Sequence, residues 1–402
     1  MKIAFYVAHP AHYHYFKFSA QQLRNNGHEV IFLAKNKDIL LSLLENAGEK
    51  YEIIAHKKSQ NYVQHILYAI QADLSVVRYL RKERVDMIIG SQLTGLIRKL
   101  TNTAIINTGE DDAKVLGIYP PLAYTHTHNI LSPTCCDNGR WNRKTITFPS
   151  YMKIGYLHPN NFKADRHILD KYGINTAKPY YIIRFSSLNA HHDKGIIGIN
   201  TEIAQRLIDI LSPHGTIYIT SERPLETQFE PYRIEINPLD MHHVMAFASL
   251  YIGDSQTMAA EAGILGVPFI RYNGFVGRIG YLDELEIKYE LGFGIQSNME
   301  SKAHFPYQVR YRGKENLYEI VRQLVLRNPD ELRAEWLIKR NRLLTDKIDY
   351  AKFLTYFIEN YPQSVAETKK ANEENDKEFW ERFKTTACRV EGLKKANETK
   401  RE

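Results

Sequence analysis

Short apolar runs rich in β-branched and aromatic side chains recur along the chain, and helical spacing follows each of them. The series opens with KIAFYVA at residues 2–8, a helix, and HEVIFLA at 28–34. YEIIA at 51–55, VDMIIG at 85–90, TAIINT at 103–108 and NILSPT at 129–134 continue it, with a long amphipathic stretch at 62–81 in between. Strands alternating with helices predict a parallel sheet. After residue 160 the rhythm restarts with YYIIRFS at 180–186, TIYITS at 216–221, RIEINP at 233–238, LYIGDS at 250–255 and VPFIRYN at 267–273. Helices are expected at 201–211 and 241–248. The pattern therefore predicts an α/β protein with two doubly wound domains facing across a cleft. LHPNNFKAD at 157–165 holds turn formers and reads as the interdomain linker. The expected boundaries are 1–160 for the first domain, 161–345 for the second, 346–362 for a further helix and 363–402 for a charged helical or disordered tail.

Composition narrows the classes. The 402 residues are 44% hydrophobic and 25% charged, values of a globular chain with room for two cores. The apolar run at 3–8 stops at His9 and Pro10, too short for a signal peptide or a membrane span, so a cytoplasmic location is expected. Three cysteines, two of them adjacent, form neither a disulfide framework nor a metal pair. A net charge of +7 suits an anionic ligand or peripheral contact with the inner membrane face. Its basic residues are dispersed and no recognition motif is present, which argues against nucleic acid.

Candidate chemistry gathers at strand ends, where open parallel sheets bind ligands. In GDSQTMAAEAGILGVPFIRYN (253–273), Asp254 and Ser255 can cap a helix and leave the amides of Gln256, Thr257 and Met258 open to phosphate. Glu261, among small residues about two turns on, can take the hydroxyls of a ribose; the alternative pairs it with Arg271. Arg184 ends a strand and starts a polar loop with Ser186, Ser187, Asn189, His191 and His192; its guanidinium can hold two phosphate oxygens. Arg223 is a second candidate. His191, His192 and Asp193 are consecutive and find no second ligand set, so no metal is expected. In AHPAHYHYF (8–16), His12 and His14 follow the first strand, and a neutral His12 could accept a proton from an attacking hydroxyl. Glu110 or Asp112, in GEDDAK (109–114), could orient His12 or act as base. His14, with Tyr119 and His126 of YPPLAYTHTH (119–128), is a candidate for holding an acceptor.

The stretch NPLDMHHVMAFASLYIGDSQTMAAEAGILGVPFIRYNGFVG resembles the nucleotide-sugar half of GT-B proteins, and the chain is similar to the DUF354 family of glycosyltransferases. RFSSLNAHHDKG, SERPL, HPAHYHYFKFSAQQLRNNGHEVIFLA, GYLHPNNF and DKIDYAKFLTYFIENYP extend the likeness. It implies a GT-B fold of two Rossmann-like domains, 1–160 for the acceptor and 161–345 for the nucleotide sugar, with a return helix at 346–362 crossing back to the first. It also implies donor binding by Arg184, Ser186, Ser221, Arg223, Ser255, Gln256, Thr257 and Glu261. The implied activity is metal-independent, cofactor-free glycosyl transfer from a nucleotide sugar, with a UDP-sugar favoured, to a surface glycan or lipid-linked acceptor. MurG-type relatives carry a glycine-rich loop where this chain has AHPAHYHYF, and Ala113 stands where DUF354 relatives have His. Related 2-epimerases have Gly-Gly and Glu-Glu pairs where this chain has SQTMAAEA. Nucleotide-sugar epimerisation and binding without catalysis are the alternative functions.

Overall fold

In a computed structural model of the protein, the residues described are 1–36, 39–55, 62–91, 93–117, 119–186, 198–298 and 305–384. The first seven strands are β1 (Lys2–Val7), β2 (Glu29–Lys35), β3 (Tyr51–Ala55), β4 (Met87–Gly90), β5 (Ala104–Thr108), β6 (Asn129–Pro133) and β7 (Thr145–Phe148). They form one parallel sheet in the order β3-β2-β1-β4-β5-β6-β7. Residues 3–7 of β1 are all buried, because helices cover both faces of a parallel sheet and leave no solvated side to alternate with. The helix Pro10–Asn25 follows β1. His9 is its N-cap, accepting a hydrogen bond from Ala11 N at 3.2 Å, and Pro10 takes the first helical position. Gly27, at φ 87°, lets the chain turn away into β2.

The second sheet comprises β8 (Tyr180–Phe185), β9 (Thr216–Ser221), β10 (Leu250–Gly253), β11 (Phe269–Asn273), β12 (Gly292–Gln296) and β13 (Tyr311–Arg312). It too is parallel, in the order β13-β12-β11-β10-β8-β9. RIEINP is not a strand: it touches β9 only through an Arg233–Ile219 bridge, held between Pro231 and Pro238.

The chain divides into two compact units, one of Met1–Asn161 with Lys347–Thr385, the other containing Phe162–Asp346. The chain thus returns to the first unit after the helix Pro329–Asp346. There the helix Tyr350–Glu359 packs on the Pro10–Asn25 helix, with Ser19 Oγ donating to Ala351 O at 3.0 Å. The charged stretch from Gln363 is helical over Gln363–Glu373 and Lys377–Glu381. Its aromatic island is docked: Phe379, Trp380 and Phe383 are buried, and Trp380 and Phe383 pack on Phe353 at 5.6 and 5.5 Å. Asp349 ties the two chain crossings within this unit, accepting from Asn160 Nδ2 at 3.0 Å and Asn161 Nδ2 at 3.2 Å.

Candidate functional site

In each sheet the strand order reverses once, and the crevice at such a point is where open α/β sheets bind ligands. In the second unit the reversal lies between β8 and β10, which end at Arg184–Phe185 and at Gly253. The helix Gln256–Leu265 starts there. Ser255 is its N-cap, accepting from Met258 N at 3.4 Å, while Gly266 at φ 78° closes its other end. Asp254 does not cap this helix. Its Oδ1 accepts from Ser186 N at 2.7 Å and Ser186 Oγ at 2.6 Å, and its Oδ2 from Ile199 N at 3.2 Å. Asp254 therefore holds the base of the Ser186 loop, and burial raises its pKa. Ser187, Asn189, His191, His192 and Asp193 lie outside the described residues.

Glu261 is 4% exposed, and His242 Nε2 lies 3.2 Å from its Oε1. His242 belongs to the helix Met241–Ala246, so two helices meet through this pair. Arg271 is not its partner, since Arg271 Nε binds Glu286 Oε1 at 2.9 Å. Arg184 reaches Glu222 at 2.6 Å, which partly neutralises it. Arg223 turns elsewhere, donating to Ile199 O at 2.5 Å and lying over the Phe185 ring. Ser221 Oγ is taken up by Arg223 O and Arg223 N, in a local turn. Thus Arg184, Ser186, Ser255, Gln256 and Thr257 gather at one edge of the sheet. Ser221 and Arg223 shape the loop beside them.

Sequence reasoning missed Tyr251 and Thr220 here. The Tyr251 phenol is fully buried, and its hydroxyl has no hydrogen-bond partner among the described residues. The same holds for Arg184 Nε and Thr220 Oγ1. Arg184 is in register with both Thr220 and Gly253, so these groups share one face of the strand ends. Burial pushes the Tyr251 phenol far up, with Arg184, Asp254, Glu261 and Glu222 all near enough to act on it. The sequence signal was Gly253: a Cβ there would meet the Tyr251 hydroxyl at 2.6 Å and Arg184 O at 3.0 Å.

In the first unit the reversal lies between β1 and β4, so residues just after β1 are at the equivalent place. His12 stands in the first turn of the Pro10–Asn25 helix, and Ala8 N donates to its Nδ1 at 3.3 Å. A backbone N–H can only donate, so the neutral ring in this geometry carries its proton on Nε2. The His12 ring stacks on Tyr15 at 6.1 Å, and the Tyr15 hydroxyl donates to Glu110 Oε1 at 3.1 Å. Glu110 is buried, salt-bridged to buried Lys153, and accepts from Met152 N at 2.9 Å. Lys153 carries no signal in the sequence, because its partner comes from a distant loop.

Asp112 Oδ1 accepts from Asp137 N at 3.0 Å, bracing the same loop. His14 is buried and packs on Tyr156 at 5.3 Å, on the inner side of its helix. The Tyr119 hydroxyl donates to Asn107 Oδ1 at 3.1 Å. His126 packs against Gly95, just before Thr127 and His128 bond to Ile105 at the start of β5. His12, Glu110 and Tyr15 are therefore brought together with Lys153, whereas His126 belongs to the loop that re-enters the sheet at its amino edge.

No protein-family profile and no curated protein matches the chain. Solved structures do. MnaA of S. aureus, solved with UDP, shares 13% identity at a TM-score of 0.60, over 91% of this chain and 98% of that one. UDP-GlcNAc 2-epimerase from Methanocaldococcus jannaschii, in complex with UDP-GlcNAc and UDP, shares 12% at 0.57, over 82% and 94%. Spinosyn rhamnosyltransferase SpnG shares 14% at 0.54, over 90% and 100%. The fold is therefore GT-B, a fold that hosts more than one reaction.

Proposed function

We propose that this chain is a metal-independent glycosyltransferase, kin to DUF354, that moves a sugar from a UDP-sugar to a surface-glycan or lipid-linked acceptor. The observation that carries the reading is Glu261. It is a buried carboxylate held by His242 on a Ser255-capped helix, at the strand reversal of a GT-B unit. There it would take the ribose hydroxyls, with Gln256 and Thr257 amides and Arg184 on the diphosphate. The acceptor hydroxyl attacks the anomeric carbon, the bond to the diphosphate oxygen breaks with its electron pair, and a base takes the hydroxyl proton. Developing charge on the diphosphate would be stabilised by the helix amides.

The geometry of the first unit favours a division of labour. Glu110 is neutralised by Lys153, and His12 presents an Nε2–H donor while it accepts from Ala8 N. We therefore assign His12 to donating a hydrogen bond and leave proton abstraction to Asp112. The second reading is 2-epimerisation, supported by solved relatives that are UDP-GlcNAc 2-epimerases. Incubation with UDP-, GDP-, CDP- and dTDP-sugars tests both: glycosyl transfer releases nucleotide only when an acceptor is present, epimerisation yields the C2 epimer, and simple binding returns the donor unchanged.

A further inference from the structure

On the first unit, cations converge on the loop around Leu122. Lys144 Nζ donates to Thr125 O at 2.5 Å, and Arg98 Nη1 to His126 O at 3.0 Å and Thr127 O at 3.3 Å. Trp141 Nε1 reaches Thr125 Oγ1 at 3.4 Å, with Arg140 lying over its ring at 4.4 Å. Lys369, from the charged C-terminal stretch, donates to Arg143 O at 3.5 Å. Lys99 is exposed beside Arg98. No carboxylate of the described residues forms a salt bridge with Arg98, Lys99, Arg140, Arg143 or Lys144; Asp137, the acid nearby, is bound to Gly139 N and Asn142 Nδ2. Burial, then Arg98 and Arg143, lower the Lys144 pKa. Three residues before Thr125, Leu122 is 56% exposed beside exposed Pro121, on the short helix Tyr119–Ala123.

Unpaired like charges crowded around an apolar tip lose stability by mutual repulsion and gain it only when an anionic surface covers them. A bilayer with anionic headgroups meets every part. The cations lie at headgroup level, Trp141 suits the interface, and Leu122 enters the acyl boundary. Nucleic acid fits less well, since exposed Leu122 is aliphatic and Arg140 already lies over the Trp141 ring. We propose that this patch docks the protein on an anionic membrane surface. The patch lies at the amino edge of the sheet, where Lys144 precedes β7 and Thr127 meets the start of β5, apart from His12, Glu110 and Asp112 at the other edge. It holds whether or not the site transfers sugar.

The test is sedimentation of the full chain with vesicles of phosphatidylcholine alone, or containing phosphatidylglycerol at about one part in three. Binding is expected only to the anionic vesicles, and salt near 0.5 M, on the order of a few Å of screening length, should release it. At about fivefold per cation, Lys99→Ala with Arg143→Ala should lower the partition roughly 25-fold. Leu122→Asp should lower it as well, and Lys50→Ala with Lys352→Ala, elsewhere on the same unit, should leave it within about twofold. No binding to anionic vesicles, equal binding to phosphatidylcholine, or equal loss in the Lys50/Lys352 pair would overturn the proposal. So would tighter retention on an oligonucleotide than on the vesicles. Nucleotide binding by the same variants, measured in parallel, is expected to be unchanged.

Discussion

The bond from Ala8 N to Nδ1 bears directly on what His12 can do. With Ala8 N pointing at Nδ1, the ring offers a proton at Nε2. Glutamine can reproduce that donor, whereas alanine cannot. Turnover of His12→Gln is therefore expected within about tenfold of the parent, His12→Ala about 10²-fold down, and Asp112→Asn lower by 10² to 10⁴. If His12→Gln falls as far as His12→Ala, the imidazole is the base after all. Glu261→Ala should weaken UDP binding by roughly ten- to a hundredfold, the cost of a charge-assisted hydrogen bond, and calorimetry on the folded variant measures it. Lys153→Met leaves Glu110 buried without its counter-charge and should cost about 3 to 5 kcal/mol, part of which returns when Glu110→Gln is added. Urea unfolding of the single and double variants gives the comparison. Glu261 could be singled out from its neighbours in the chain, because a lone acid among alanines and glycine is conspicuous. Its partner could not, since His242 reaches it from another helix, as Lys153 reaches Glu110 from 43 positions away.

At the level of elements, the strand-to-helix joint at residues 250–256 concentrates the constraints. Gly253 leaves room for the Tyr251 hydroxyl, so Gly253→Ala drives two groups into the same space. The expected loss is about 1 to 3 kcal/mol, and Tyr251→Phe in the same chain should recover much of it by removing the clashing oxygen. Denaturation midpoints of both variants check this, and absence of recovery would place the strain at Arg184 O instead. Most strands announced themselves through apolar, β-branched runs. RIEINP carried the same run but failed as a strand because prolines at both ends keep it from a full ladder. β12, GFGIQ, was missed for the opposite reason: glycines dilute its pattern, although Gly292 and Gly294 are there because Phe269 and Glu286 occupy the space a side chain would need.

For the whole molecule, the two-domain α/β layout followed from the restart of the strand rhythm after residue 160. The fate of the last described segment was harder to read. Lys, Glu and Asn dominate it, and FWERF is its one apolar island, yet Phe379, Trp380 and Phe383 anchor it on Phe353. Trp380→Ala should therefore lower the stability of the first unit by about 3 to 5 kcal/mol, seen as an earlier unfolding transition that UDP does not shift back.

The discontinuity of that first unit also sets a timetable. Its sheet is complete once β7 leaves the ribosome, but the helix that covers Phe148 and packs on the Pro10–Asn25 helix begins only at Tyr350. The whole of Phe162–Asp346 is translated in between, roughly 10 to 40 s at 5–20 residues per second. Throughout that interval the amino-terminal half must wait with an oily flank unshielded, while the interposed domain is itself still being made. Slow codons anywhere between β7 and Tyr350 would lengthen that exposure.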